Sequence, residues 1–279
     1  MASVPTIQLN DGNTIPQLGL GVWQVEPEET ARVVGDAIGI GYRLIDTAEG
    51  YDNEAGVGAA IAAAEVPREA LFITSKLRNG AHARDLALRS FDATMTALGI
   101  DQLDMFLIHW PVPSQDKYVE AWKTLVELRD AGRIRSIGVS NFNEDHLERI
   151  IGETGVVPAV NQIELHPYFQ QRDNRAYHAG RDIRIESYSP LGSGRVLEDA
   201  TIGAIGAKHD RSIAQTILRW HLQQGLIVIP KTTHADRLRE NFEVFDFALG
   251  EGEMEAVDRL DKGPAGRRGS DPAKAATLF

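Results

Sequence analysis

The sequence predicts an α/β fold: a closed (β/α)8 barrel of the TIM type, with an N-terminal β-hairpin lid and two extra helices. Three observations predict it. Short apolar strand patterns alternate with amphipathic helical patterns along nearly the whole chain, which implies a parallel sheet. Eight such strands fit within 279 residues, a length at which a barrel is often one domain. Polar residues recur at the C-terminal ends of the strands, where such barrels carry their sites. An open doubly wound sheet is the alternative architecture.

In chain order, residues 6–16 read as a hairpin at the barrel bottom. Ile7-Gln8-Leu9 alternates, Asp11-Gly12 is a strong turn signal, and an apolar pattern resumes at Ile15. The barrel strands are expected at Leu18–Gly21, Tyr42–Asp46, Leu71–Lys76, Asp104–His109, Ile134–Ser140, Val160–Glu164, Ile183–Ser187 and Leu226–Pro230. Helical periodicity lies between them, at about Glu28–Ile38, Asn53–Ala64, Arg84–Leu98, Val119–Ala131, Glu144–Glu153, Arg172–Ala179 and Ile213–Gln223. A further helix is expected within Arg195–Lys208, inside the seventh crossover, and Ala235–Phe242 and Glu251–Leu260 close the chain. No linker, solenoid repeat or low-complexity stretch divides it, so residues 1–279 read as one domain. The tail, 261–279, is rich in Gly, Pro, Arg and Asp and reads as a loop over one barrel face.

Composition narrows the function. Hydrophobic residues make up 43% and charged residues 25%, values of an ordinary soluble globule. A formal charge of −11 argues against nucleic acid as the main partner, because phosphate binding needs a basic face. The absence of cysteine excludes disulfides, thiolate catalysis and cysteine-ligated zinc. No two histidines stand at helical ligand spacing beside a carboxylate, so no metal is expected. The stretch Met1 to Pro5 has no basic n-region or apolar h-region, so no secretory signal is expected, and no apolar run approaches the roughly 18 residues of a membrane span. The expected location is cytoplasmic, the expected state a monomer.

The strand ends carry the chemistry. The second ends at Asp46, the third at Lys76, the fourth at His109, and Tyr51 follows the second in a loop. The fifth ends at Ser140-Asn141, and the sixth runs through Gln162 to Glu164. The seventh ends in Glu186-Ser187-Tyr188-Ser189, the eighth at Pro230-Lys231-Thr232. Burying such groups unpaired costs about 1–3 kcal/mol each, and more for charges. A shared wet or ligand-filled pocket accounts for them better. Asp46 beside Lys76 would hold the ammonium charged, and that charge would lower the Tyr51 pKa. A tyrosine so tuned donates a proton to a developing alkoxide, with His109 orienting the same oxygen. Taken singly, the groups have plainer readings: a structural ion pair, a packed tyrosine and a satisfied core histidine. Gathered on neighbouring strand ends, they form an acid site for carbonyl reduction that lacks a hydride source.

These residues resemble the aldo-keto reductases, in particular short bacterial members such as the 2,5-diketo-D-gluconic acid reductases. The resemblance is carried by Leu18-Gly19-Leu20-Gly21, the stretch Gly41 to Ala48, Leu107-Ile108-His109-Trp110-Pro111, Ile137 to Phe142, Val160 to Pro167, and Ile229-Pro230-Lys231-Thr232. It runs from about residue 6 to 262. It implies reduction of aldehydes and ketones to alcohols with NADPH rather than NADH. By motif, Tyr51 would be the general acid, Asp46 and Lys76 would tune it, and His109 would orient the substrate. Ser140, Asn141 and Gln162 would bind the nicotinamide carboxamide, and Tyr188 would stack on the ring. Leu191, Gly192 and Ser193 would line the pyrophosphate. Ile229, Lys231, Thr232, Thr233, Arg237, Glu240 and Asn241 would hold the adenosine end. Trp23 and Trp110, with His109, would wall the substrate pocket.

The residues at the adenosine end agree on physical grounds. Lys231 and Arg237 supply positive charge for a 2′-phosphate, and Thr232 supplies a hydroxyl; Arg237 also fits a solvated helix face. Gly19-Leu20-Gly21 is not a dinucleotide fingerprint, because Gln24 stands where the third glycine would be. Thr232 replaces the serine of many relatives, and Tyr188 the tryptophan of the gluconate reductases. Short loops imply an open substrate pocket. Two other functions fit the barrel: a Schiff-base lyase using Lys76 or Lys231, and a non-catalytic nucleotide-binding or redox-sensing subunit.

Overall fold

A computed structural model describes residues 4–275. β1 (Thr6–Gln8) and β2 (Thr14–Pro16) form the expected antiparallel hairpin, with Ile7 opposite Ile15. Gly12, at φ 89°, makes the turn in a region that strains any side chain. Leu9 N donates to Asn13 O at 2.9 Å across it. The hairpin is pinned under the barrel by its turn asparagines. Asn10 donates to the carbonyls of Pro158 and Asp182, and Asn13 donates to that of Arg135.

β3 (Gly19–Gly21), β4 (Leu44–Asp46), β5 (Phe72–Leu77), β6 (Leu103–Ile108), β7 (Ile134–Ser140), β8 (Val160–Glu164), β9 (Arg184–Tyr188) and β10 (Ile227–Val228) pair in that order, all parallel. The two ends of the row meet. Leu18 bridges Val228, Val228 N donates to Gln17 O (2.9 Å), and Gly21 N donates to Pro230 O (3.2 Å). The sheet is therefore a closed barrel, as expected, and not an open one. Its bore is narrow: a Cβ on Gly138 would stand 2.6 Å from Val160 O of the next strand.

Alternation along each strand sorts its side chains. Leu44, Met105, Leu107, Val160 and Ile227 turn inward and meet Leu9 and Ile15 of the hairpin in a buried apolar layer. Ile45, Ile73, Phe106, Ile137 and Val139 turn outward onto a helical ring that includes Val33, Phe91, Trp122, Leu125 and Ile150. Each large side chain so buried contributes about 1.5–3 kcal/mol. With the lower bore filled by hydrocarbon, the inward-facing polar residues lie toward the opposite end.

The helices are α1 (Pro27–Ile40), α2 (Glu54–Ala62), α3 (Arg84–Leu98), α4 (Tyr118–Asp130), α5 (Glu144–Thr154), α6 (Arg172–Gly180), α7 (Ala200–Lys208), α8 (Ile213–Gln223), α9 (Ala235–Phe242) and α10 (Glu251–Asp258). Among the described residues α7 and α10 are the two beyond one helix per barrel strand. None is long and apolar enough to cross a membrane.

Two expectations need correcting. The helix expected within Arg195–Lys208 is two elements. Gly192–Glu198 makes tight turns broken at Ser193 (φ 52°) and Gly194 (φ 89°). α7 starts only where Asp199 accepts from the backbone N–H of Thr201 and Ile202, capping it. The last strand, expected over Leu226–Pro230, is regular only over Ile227–Val228, although Ile229 N still donates to Ser187 O and Pro230 O still accepts from Gly21 N. Proline has no N–H to donate, so the ladder toward β9 ends there. In the expected tail, Gly263–Gly266 forms one tight turn, and residues 276–279 lie outside the described residues.

Candidate active site

Asp46 ends β4, Lys76 stands near the end of β5, and a tight turn over Glu49–Tyr51 follows β4. Asn53 holds that turn in place. It accepts from Thr47 Oγ1 (2.9 Å) and donates to the carbonyls of Val22 and Val25 (2.9 and 3.1 Å). Tyr51 thereby lies over the barrel mouth. The Lys76 ammonium is fully buried, 2.6 Å from Asp46 Oδ1, and donates to Thr47 O at 2.8 Å. It lies 4.9 Å from the centre of the Tyr51 ring. His109, just past β6, sets its ring edge-on to Tyr51 with the centroids 5.6 Å apart. The four expected catalytic groups therefore converge.

A second set surrounds them. Gln162 Nε2 donates to Asp46 Oδ2 (2.7 Å) and to Glu186 Oε2 (2.8 Å). Asn141, in left-handed conformation (φ 61°), donates to the His109 carbonyl (3.1 Å) and to Ser140 Oγ (3.0 Å). Its Oδ1 accepts from Tyr188 Oη at 2.8 Å. Ser140 Oγ donates to the Gln162 carbonyl at 2.9 Å.

Burial pulls the Lys76 pKa down, but Asp46, Tyr51 and Glu186 outweigh it and the net shift is upward. Lys76 is held charged, as expected. Tyr51 differs from expectation. Burial raises its pKa, Lys76 pulls it down by charge and hydrogen bond, and Asp46 and Glu186 push it up again. The net shift is upward, because desolvating a phenolate costs more than one ammonium returns while a carboxylate neutralises that ammonium. Tyr51 thus keeps its proton at neutral pH, which a general acid requires. Burial, then the Lys76 charge, hold His109 well below its ordinary value, so its ring is neutral. Glu186 is raised to about 8 by burial and by Asp46.

A cavity of about 490 Å³ opens over these groups. Its wall includes Trp23, Asp46, Tyr51, His109, Trp110, Ser140, Asn141, Gln162, Tyr188, Ser193, Ile229 and Lys231, all expected at the site. Lys76 lies behind the wall. Leu191, Gly192, Thr232, Thr233, Arg237, Glu240 and Asn241 are not on it. Leu191 packs into the core beside α7 and α8, and Gly192 is buried with φ 57°. Thr232 Oγ1 accepts from His234 N, just before α9, which carries Arg237, Glu240 and Asn241. Among the described residues neither Lys231 nor Arg237 forms an ion pair.

Two features escaped the sequence. Arg268, Gly269 and Ser270 of the tail line the cavity, and Arg268 N and Gly269 N donate to the two oxygens of Glu164 (2.6 and 2.7 Å). Burial raises the Glu164 pKa, but His166 and these two N–H groups outweigh it and hold the carboxylate ionised. Glu186 stands at a strand end in the sequence, where no role is expected of it. An inward-facing carboxyl beside Gln162 in the neighbouring strand was the available signal.

Comparison with known proteins gives a consistent result. The model of the Aldo/keto reductase family matches residues 15–262. An aldo-keto reductase of Mycolicibacterium smegmatis is 51% identical, over 96% of this chain and 97% of its own. The methylglyoxal reductase DkgA of Escherichia coli is 48% identical over 98% of each chain. A crystal structure of a Gox0644 mutant in complex with NADPH is 50% identical with a TM-score of 0.95, covering 98% of this chain and 99% of its own.

Proposed function

Because the chain belongs to the aldo/keto reductase family, we propose that it reduces aldehydes and ketones to alcohols with NADPH, with Tyr51 as the general acid. The observation that carries this is the convergence of Tyr51, Lys76, Asp46 and His109 at one cavity. When bound, NADPH supplies the hydride that reaches the carbonyl carbon. Tyr51 gives its phenolic proton to the carbonyl oxygen as negative charge develops there. The Lys76 ammonium stabilises the phenolate left behind, and Asp46 keeps Lys76 charged and in place. Neutral His109 donates an N–H to the same oxygen and orients it. Trp23 and Trp110 wall the substrate against this pair.

The residues present fit the cofactor. Ser140, Asn141 and Gln162 offer polar groups for the carboxamide on one wall, and Tyr188 offers a ring face. Ser193, with Leu191 and Gly192, lies where the chain leaves β9, and its broken turns suit a pyrophosphate. Lys231 and Arg237, with Ile229, Thr232, Thr233, Glu240 and Asn241, would hold the phosphorylated adenosine. A relative named for methylglyoxal reduction and a neighbour bound to NADPH support the same reading. Small reactive aldehydes and keto-sugar acids are the substrate classes.

A Schiff-base lyase is disfavoured by the protonated Lys76. The test is consumption of NADPH with methylglyoxal, an aromatic aldehyde and a keto-sugar acid. Turnover is expected with at least one, and loss of nearly all turnover in Tyr51→Phe with NADPH binding retained. No turnover with any of them, or full turnover in Tyr51→Phe, would refute the mechanism.

A further inference from the structure

At the centre of the bore, Glu186 is fully buried on β9, in register with Gln162 of β8 and Ile227 of β10. An apolar side chain would fill that position at no desolvation cost, as Ile227 does beside it. A buried carboxyl is expensive, and its Oε1 has no hydrogen-bond partner among the described residues. Stability does not explain it, so its one bond is informative. That bond is from Gln162 Nε2 to Glu186 Oε2, at 2.8 Å. The same nitrogen donates to Asp46 Oδ2 at 2.7 Å. A primary amide nitrogen carries two hydrogens, and both are used. The planar amide then points its carbonyl oxygen away from both carboxyls, toward the cavity that Gln162 lines.

We propose that Glu186 is a positioning residue: with Asp46 it grips both N–H hydrogens of Gln162 and so aims the Gln162 carbonyl oxygen at the carboxamide N–H of bound nicotinamide. The inference rests on the NADPH reading above. Asp46 alone would leave one N–H unheld, and the amide plane could rotate about that single hydrogen bond and swing its oxygen off the cavity. Two acceptors fix the plane of the amide: the Asp46 carboxylate takes one N–H, and the unprotonated oxygen of neutral Glu186 takes the other. The titratable groups facing Glu186 are Asp46, Lys76 and, through them, Tyr51. With Glu186 neutral at pH 7, the bore holds one carboxylate against one ammonium. The second grip therefore adds no net charge beside Tyr51.

The test compares binding of NADP+ with binding of its acetylpyridine analogue, which keeps the carbonyl oxygen of the carboxamide but lacks its N–H. Wild type, Glu186→Gln and Glu186→Leu are titrated by calorimetry. The wild type should prefer NADP+ by about tenfold, the value of one hydrogen bond. Glu186→Gln retains a side-chain oxygen to accept from Gln162 and should keep the preference. Glu186→Leu should bind the two within about twofold of each other. Equal binding by the wild type overturns the proposal, whether or not Glu186→Leu folds. So does full preference in a folded Glu186→Leu, or loss of preference in Glu186→Gln. A wild type that binds neither nucleotide refutes the cofactor reading instead.

Discussion

Lys76 holds its ammonium 4.9 Å from the centre of the Tyr51 ring. Because Lys76 is fully buried, water does little to screen that charge. Lys76→Met should therefore lower kcat by about 10²–10⁴, the range of a lost acid–base contribution. It also leaves Asp46 buried without its cation, which should cost about 3–5 kcal/mol of stability. Steady-state kinetics and urea melts measure the two losses separately. An unchanged kcat in folded Lys76→Met would remove Lys76 from the mechanism.

Stability should peak near pH 6.5. Burial depresses His82 and His221 to about 4 from 6.5. Between those values the unfolded chain takes up at these two sites protons that the folded chain refuses, and His109, His146 and His178, also depressed by burial, act in the same sense. Their contribution is present above pH 6.5 and is lost as pH falls toward 4. Glu186 acts in the opposite sense, raised by burial and Asp46 from 4.5 to about 8. Across that window the folded chain keeps a proton the unfolded chain releases, so stability falls as pH rises. Each group contributes a slope of about 1.4 kcal/mol per pH unit. Denaturant melts across this range should show the maximum. In Glu186→Gln the decline between 6.5 and 8 should disappear, and a decline that persists would assign it to another group.

Arg237, exposed on α9, should discriminate between nucleotides. Arg237→Ala should weaken NADPH by about 1–2 kcal/mol and leave NADH nearly unchanged, since only the former carries a 2′-phosphate for a guanidinium to pair with. Fluorescence titration with each nucleotide reads the difference. Equal losses would move the phosphate contact elsewhere.

Glu164 ties the tail to the barrel through two charge-assisted bonds. Such bonds are worth about 1.5–3 kcal/mol each. Glu164→Ala should free the segment around Arg267 and Arg268, and trypsin should cut there at least tenfold faster than in the wild type. Substrate KM should rise as well, because Arg268, Gly269 and Ser270 form part of the cavity wall. Unchanged cleavage would show that Gly266 is the stronger anchor, packed so tightly that a Cβ there would stand 1.8 Å from Tyr168 O.

Much of the fold is legible in the sequence. The bounds expected for Ile134–Ser140, Val160–Glu164, Arg84–Leu98 and Ile213–Gln223 are those observed. Each is set by local periodicity, and in α8 by the Ser212/Gln215 capping box. The failures were non-local. The turns at Ser193 and Gly194 follow from how the chain leaves β9, not from helix propensity. The contact of Glu164 with Arg268 and Gly269 joins segments more than a hundred residues apart, which no spacing rule anticipates. The placement of Tyr51, Lys76, Asp46 and His109 was legible because strand ends in a closed barrel share one rim. The Tyr51 shift was not, because its sign depends on how much water packing removes.

The hairpin beneath the barrel has a kinetic consequence. With Leu9 and Ile15 stoppering the floor, the cavity among the described residues is entered from the rim, and whatever sits deepest must arrive first and depart last. If the nicotinamide lies against Gln162 and Tyr188, the carbonyl compound queues behind it, and the alcohol must leave before spent nucleotide can be exchanged.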